Sequence, residues 1–130
     1  MPTTLSALDH LVLTVRDLDK TLSFYTDVLG MTPISFGEDA ARWALGFGAQ
    51  KINLHVAGAE FEPKAECPAP GSGDLCFLST TALTEWQTHL ERLGITILDG
   101  PVPRTGATGP LMSLYIRDPD GNLIEISNPV

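Results

Sequence analysis

The chain states one pattern twice, 64 residues apart, and a fold must accommodate both copies. Leu8-Asp9-His10-Leu11-Val12-Leu13 opens the first copy, and Gly73-Asp74-Leu75-Cys76-Phe77-Leu78 opens the second. Each leads into an amphipathic stretch that stops at Leu-Gly, at Leu29-Gly30 and at Leu93-Gly94. The identical positions are few: Leu11/Leu75, Leu29/Leu93, Gly30/Gly94 and Thr32/Thr96. The agreement lies in element order, helix length and the glycine stop. The same offset sets His10 against Asp74, and each copy ends on a strand with one buried-looking polar group, His55 in the first and Glu125 in the second.

Periodicity fills in the elements. Residues 7–15 alternate with period two, as a half-buried strand does. Asp17 or Asp19 caps a helix carrying Leu18, Leu22, Tyr25, Val28 and Leu29 on one side. Gly30 suits the left-handed position beyond it. Strands are expected at 31–36, 41–48 and 51–57, with a tight turn at Gly48-Ala49-Gln50-Lys51. Pro63, Pro68, Pro70, Gly71 and Gly73 break the pattern, so 59–72 reads as a linker between a module at 5–58 and another at 73–130. In the second module a strand at 74–79 precedes a helix with Leu83, Trp86, Leu90 and Leu93. Then follow a strand at 95–99, a Gly/Pro-rich loop at 100–110, a strand at 111–117, a type I turn at Asp118-Pro119-Asp120-Gly121 and a last strand at 122–127. The expected class is α+β, one domain of two tandem βαβββ modules.

Composition narrows the partners. A net charge of −8 argues against nucleic acid or an anionic membrane, both of which need a basic surface. No apolar run is long enough to span a bilayer, and Met1-Pro2-Thr3-Thr4 lacks the features of a secretory signal. The two cysteines, Cys67 and Cys76, match no zinc pattern and are expected as free thiols in a cytoplasmic protein.

Strand alternation sorts the chemistry. Ile52, Leu54 and Val56 face the helix, so Lys51, Asn53 and His55 face the other way. Ile124 and Ile126 face the core, so Glu125 does not. By the same rule His10 and Asp74 leave the helix side. Two imidazoles and two carboxylates suit a divalent zinc, nickel, iron, manganese or cobalt ion. The expected metal ligands are therefore His10, His55, Asp74 and Glu125, with open positions for a substrate bearing adjacent oxygens. Arg104 in the Gly/Pro-rich loop is a candidate for an anionic substrate or a solvated loop residue; Tyr115 and Trp43 are candidates for lining the site, although a core or interface role suits both better. His89 reads as a surface residue.

Three segments carry a family resemblance: Leu8-Asp9-His10-Leu11-Val12-Leu13-Thr14-Val15, Phe24-Tyr25-Thr26-Asp27-Val28-Leu29-Gly30-Met31 and Arg117-Asp118-Pro119-Asp120-Gly121-Asn122-Leu123-Ile124-Glu125-Ile126. Through them the chain resembles the vicinal oxygen chelate superfamily, the glyoxalase/bleomycin-resistance/dioxygenase group. Within it the chain is most similar to glyoxalase domain-containing proteins, through Lys51-Ile52-Asn53-Leu54-His55 and Gly100-Pro101-Val102-Pro103-Arg104-Thr105-Gly106-Ala107. The resemblance implies paired modules forming an open, barrel-like cleft, a homodimer, and a metal held by first and last strands, here at His10, His55, Asp74 and Glu125. It implies a metal-dependent lyase, isomerase or dioxygenase acting on a small oxygenated molecule, with Glu125 as ligand and base and Asp74 as the second choice. The alternative it offers is a metal-free protein that sequesters an antibiotic. Asp74 stands where the family usually has histidine, and His55 where its lyases usually have glutamate.

Overall fold

A computed structural model describes residues 3–130; Met1 and Pro2, on which part of the N-terminal reading rests, lie outside the described residues. The chain divides into two compact units, Met1–Ala69 and Pro70–Val130. Each is a helix laid on a four-stranded sheet, so the α+β class and the tandem βαβββ plan both hold.

In the first unit the elements are β1 (His10–Val15), α1 (Leu18–Asp27), β2 (Thr32–Phe36), β3 (Arg42–Phe47) and β4 (Gln50–Val56). The sheet order is β1-β4-β3-β2, with β1 parallel to β4 and the rest antiparallel. Asp17 caps α1 by accepting the Lys20 N–H at 2.9 Å, while Asp19 sits in the first turn. The helix stops as its sequence predicts. Gly30 takes φ +72°, its N–H reaching Thr26 O at 3.1 Å, and the Met31 N–H reaches Tyr25 O at 2.9 Å. Tyr25 and Val28 pack with Leu13, Val15, Leu45, Ile52 and Leu54 in the core of this unit. A short 3-10 turn, Glu38–Ala40, interrupts the path from β2 to β3 and was not anticipated by the periodicity.

The second unit contains β5 (Asp74–Leu78), α2 (Leu83–Arg92), β6 (Asp99–Thr105), β7 (Pro110–Arg117) and β8 (Leu123–Pro129) in the order β5-β8-β7-β6. The helix ends in the same way as α1: Gly94 has φ +72° and the Ile95 N–H reaches Leu90 O at 2.9 Å. Leu83, Leu90, Leu114, Ile116, Ile124 and Ile126 form its core.

One strand is displaced from its expected place. Residues 95–98 are irregular, and the strand is β6 at Asp99–Thr105, inside the segment expected to be a loop. Prolines argue against a central strand because each lacks a ladder donor. Here β6 is the outermost strand, so Pro101 and Pro103 can stand where no donor is needed, and a register shift between Asp99 and Val102 absorbs the irregularity. The linker 59–72 carries no helix or strand, as expected. Cys67 and Cys76 are both free.

Candidate functional site

Strand register decides which side chains share a face. In the first unit His10 lies opposite Lys51, Val12 opposite Asn53 and Thr14 opposite His55. Ala44 lies opposite Asn53, Gly46 opposite Lys51, and Phe36 opposite Arg42. These residues therefore occupy the sheet side away from α1, as the alternation predicts for His10 and His55. In the second unit Asp74 pairs with Leu123, Cys76 with Glu125, and Tyr115 with Glu125, again on one side.

The register corrects one equivalence. If His10 matches Asp74, then Lys51 matches Leu123, Asn53 matches Glu125, and His55 matches Ser127. The counterpart of Glu125 in the first unit is thus Asn53. His55 lies one pleat further along, four residues from the position opposite His10. At roughly 3.3 Å per residue the two histidines start about 13 Å apart along the sheet.

Their surroundings differ as much as their positions. His10 Nδ1 meets the Asp9 carboxylate at 2.9 Å. With that nitrogen donating, Nε2 carries the lone pair, the arrangement in which a carboxylate orients a metal-binding imidazole. His55 is 3% exposed, and its Nε2 accepts from Arg42 Nη2 at 3.3 Å. The Phe61 ring stands edge-on, 5.7 Å away between centroids. Burial first and the Arg42 guanidinium second push the His55 pKa below its ordinary value. His55 is therefore a neutral acceptor whose lone pair is taken, beside a cation that would repel a metal.

In the second unit Glu125 ends a hydrogen-bonded chain. Arg104 Nε donates to Tyr115 Oη at 2.8 Å, and Tyr115 lies opposite Glu125 on the neighbouring strand. Ser127 Oγ donates to Glu125 Oε2 at 3.3 Å, and it lies 2.6 Å from Ser113 Oγ and 3.3 Å from Cys76 Sγ. Each hydroxyl has one proton, so the chain balances when Ser113 and Cys76 donate to Ser127 and Ser127 donates to the carboxylate. Desolvation chiefly, and Glu125 among the nearby groups, raises the Tyr115 and Cys76 pKa values, so both keep their protons. Asp74 contributes to the same negative field around Cys76. Beside Glu125 lies a cavity of about 520 Å³ walled by Cys76, Leu78, the 105–110 turn and Val130.

The remaining candidates separate. Arg104 is tied down by Tyr115, by Pro103 O at 2.9 Å and by Asp99 at 3.6 Å. Trp43 lies opposite Leu54 on the helix side, so the register turns it away from the polar face, in keeping with a core role over substrate lining. His89 is on α2, its ring 5.8 Å from that of Trp86. Among the described residues no group of three or more His, Cys, Asp or Glu side chains stands ready to hold a metal. The donors themselves divide on fit. Asp74, Glu125 and His10 Nε2 offer lone pairs to a cation, whereas His55 does not. Sequence reading missed Asp9, Arg42 and Ser127; strict alternation along β3 and β8 was the signal that could have found the last two.

The turn before Glu125 explains the most recognisable motif. Asp118 Oδ1 accepts the N–H groups of Asp120 and Asn122, both at 2.9 Å, and Oδ2 accepts Asn122 Nδ2 at 2.7 Å. Asn122 Oδ1 in turn accepts the Gly73 N–H at 2.7 Å. Asp-Pro-Asp-Gly-Asn thus joins β7 to β8 and ties β8 to the start of β5, fixing Glu125 beside Cys76.

Residues 7–126 match the family model of the Glyoxalase/Bleomycin resistance protein/Dioxygenase superfamily, and the chain belongs to that superfamily. It is 57% identical over 122 residues to the glyoxalase domain-containing protein RDO1 of Mycosarcoma maydis, covering 94% of this chain and 68% of that one. It is also 57% identical over 123 residues to virulence protein STM3117 of Salmonella typhimurium, covering 95% and 84%. Among solved structures, the integron cassette protein VCH_CASS1 from the mobile metagenome of V. Cholerae superposes with a TM-score of 0.94 at 56% identity, covering 98% of both chains. A more distant relative, the metallothiol transferase FosB of Shouchella clausii, is 28% identical over 121 residues, covering 93% and 79%.

Proposed function

We propose that the protein is a divalent-metal-dependent enzyme of the lyase, isomerase or dioxygenase type, acting on a small molecule with adjacent oxygens. The observation that carries this reading is the carboxylate of Glu125, bonded by Ser127 and placed on the sheet face beside Tyr115, Cys76 and Asp74. The candidate metal ligands in this reading are His10, through Nε2, in the first unit and Asp74 and Glu125 in the second. His55 is left out because Arg42 occupies its Nε2. A bound metal would supply Lewis acidity toward the substrate's oxygens. Glu125 would accept a proton from the substrate, with Ser127 keeping the carboxylate oriented and Arg104 keeping Tyr115 in place beside it. Cys76, held as a thiol, acts as a donor to Ser127 and not as a nucleophile.

Titration calorimetry with Ni²⁺, Zn²⁺, Mn²⁺ and Fe²⁺ tests the ligand set. Glu125→Gln and His10→Ala should each weaken binding about 10- to 100-fold, while His55→Asn should leave it unchanged. Once a substrate is in hand, Glu125→Gln should also lower turnover by about 100-fold or more. Metal binding indifferent to Glu125 and His10 would remove both as ligands.

One observation favours a second reading, a metal-free binder of a small molecule such as an antibiotic. The cavity of about 520 Å³ falls within the size range of drug-sized ligand sites. Absence of any measurable affinity for the four cations would select this reading over the first.

A further inference from the structure

The first unit's polar face holds two cations and no carboxylate partner for either among the described residues. The Arg42 guanidinium lies between two phenyl rings, 5.1 Å from the Phe36 centroid and 4.7 Å from that of Phe61. The Lys51 ammonium lies over the same Phe36 ring at 4.1 Å. In a chain of net charge −8, two cations converging on one ring without an acid between them is the reverse of what composition favours. The nearby carboxylates are engaged elsewhere: Glu60 accepts the Gly58 N–H, and Glu62 pairs with Lys64.

Two buried atoms on this face also lack partners. Arg42 Nε is a donor without an acceptor, and Asn53 Oδ1 is an acceptor without a donor. Asn53 is 6% exposed and stands between Val12 and Ala44, with Lys51 and His55 two residues away on the same strand. Buried polar groups in native proteins are nearly always satisfied, and leaving one unpaired costs about 1–3 kcal/mol. The Ala44–Asn53 pairing puts Arg42 diagonal to Asn53, where backbones are about 7–8 Å apart. The missing partners are complementary: an anion for Arg42 and Lys51, and a hydroxyl or N–H for Asn53.

We infer that the face formed by Phe36, Arg42, Lys51, Asn53 and Phe61 is a binding site for a small organic carboxylate that bears a hydroxyl or N–H a few bonds from its acid group. The carboxylate takes Arg42 Nε and the Lys51 ammonium, and the hydroxyl or N–H donates to Asn53 Oδ1. Arg42 Nη2 is already committed to His55, so one edge of the guanidinium remains for the ligand. A phosphate monoester dianion satisfies the cations but brings no proton for Asn53, which is why a hydroxy or amino acid fits better. The site depends on no metal, and its failure would leave the metal reading untouched.

The test uses the ¹⁵N-labelled full chain and follows the Arg42 Nε–H resonance during titration with 3-hydroxybutyrate, butyrate, 1,3-butanediol and inorganic phosphate. The hydroxy acid should move that resonance saturably, butyrate should bind more weakly, and the diol should not bind. Arg42→Gln should weaken the hydroxy acid by about tenfold or more, the loss of a charged hydrogen bond. Asn53→Leu should retain butyrate binding and abolish the preference for the hydroxyl. The amide spectrum checks the fold of each variant. Should Arg42→Gln not fold, Lys51→Gln serves in its place, with weaker binding and a shallower salt dependence expected. An Arg42 resonance unmoved by either carboxylate, binding equal in Lys51→Gln and the parent, or phosphate bound more tightly than 3-hydroxybutyrate would each overturn the assignment.

Discussion

His55 shows how a residue's neighbours set its role. Read on its own strand, an inward histidine at the end of β4 suits a metal. Register and packing give it a guanidinium on one nitrogen and a phenyl ring against its edge. The consequence is a dependence of stability on pH with a definite sign. Unfolded, His55 takes up a proton near its ordinary value of 6.5; folded, it does so only at lower pH. The unfolded state therefore binds more protons in the window below 6.5, and stability falls as pH drops through it, levelling off once the folded pKa is passed. Melting temperatures taken between about pH 7 and about pH 5 should decline more in the parent than in His55→Asn. Equal slopes would mean that His55 titrates normally. Asn122 makes a second prediction at this scale. Its replacement by alanine strips the Gly73 N–H of its acceptor and Asp118 of a donor. Chemical denaturation should register a loss of about 2–4 kcal/mol.

Among the elements, the helices and their stops were the most legible. Asp17, the apolar spacing and Leu-Gly all belong to local chemistry, and the structure returns them within a residue or two. β6 was not legible, because Pro101 and Pro103 forbid a central strand but permit an outermost one, and sheet order is not written in any single segment. The site was legible in part for the same reason. Alternation put His10, His55, Asp74 and Glu125 on the correct faces, but it says nothing of register, so Asn53 was overlooked as the counterpart of Glu125. Trp43 lies on the helix side, where its bulk argues for a core role over substrate lining. Two glycines separate local strain from steric exclusion. Gly94 has φ +72°, and a methyl group added there would meet only open space, so Gly94→Ala should cost about 1–2 kcal/mol from backbone strain alone. At Gly100, φ is +101° and a Cβ would fall 2.3 Å from Ser113 O. Gly100→Ala should exceed the Gly94 cost and loosen β6, seen as faster amide exchange at Val102.

For the molecule as a whole, the reading of Glu125 and His10 as donors predicts that added cation raises the melting temperature. Stabilisation grows as the logarithm of free metal over its dissociation constant, about 2.7 kcal/mol at a hundredfold excess. Scanning calorimetry with and without Ni²⁺ should show the rise in the parent and its loss in Glu125→Gln; a rise that survives in the variant would place the ion elsewhere. The strand orders carry a different consequence. Each sheet ends on one side at a strand containing proline, Pro33 in β2 and Pro101 and Pro103 in β6, and on the other at a proline-free strand, β1 or β5. Proline cannot extend a ladder, so those two rims resist templating the stacked growth that ends in fibrils. The protection is one-sided, and any aggregation by strand addition would start from β1 or β5.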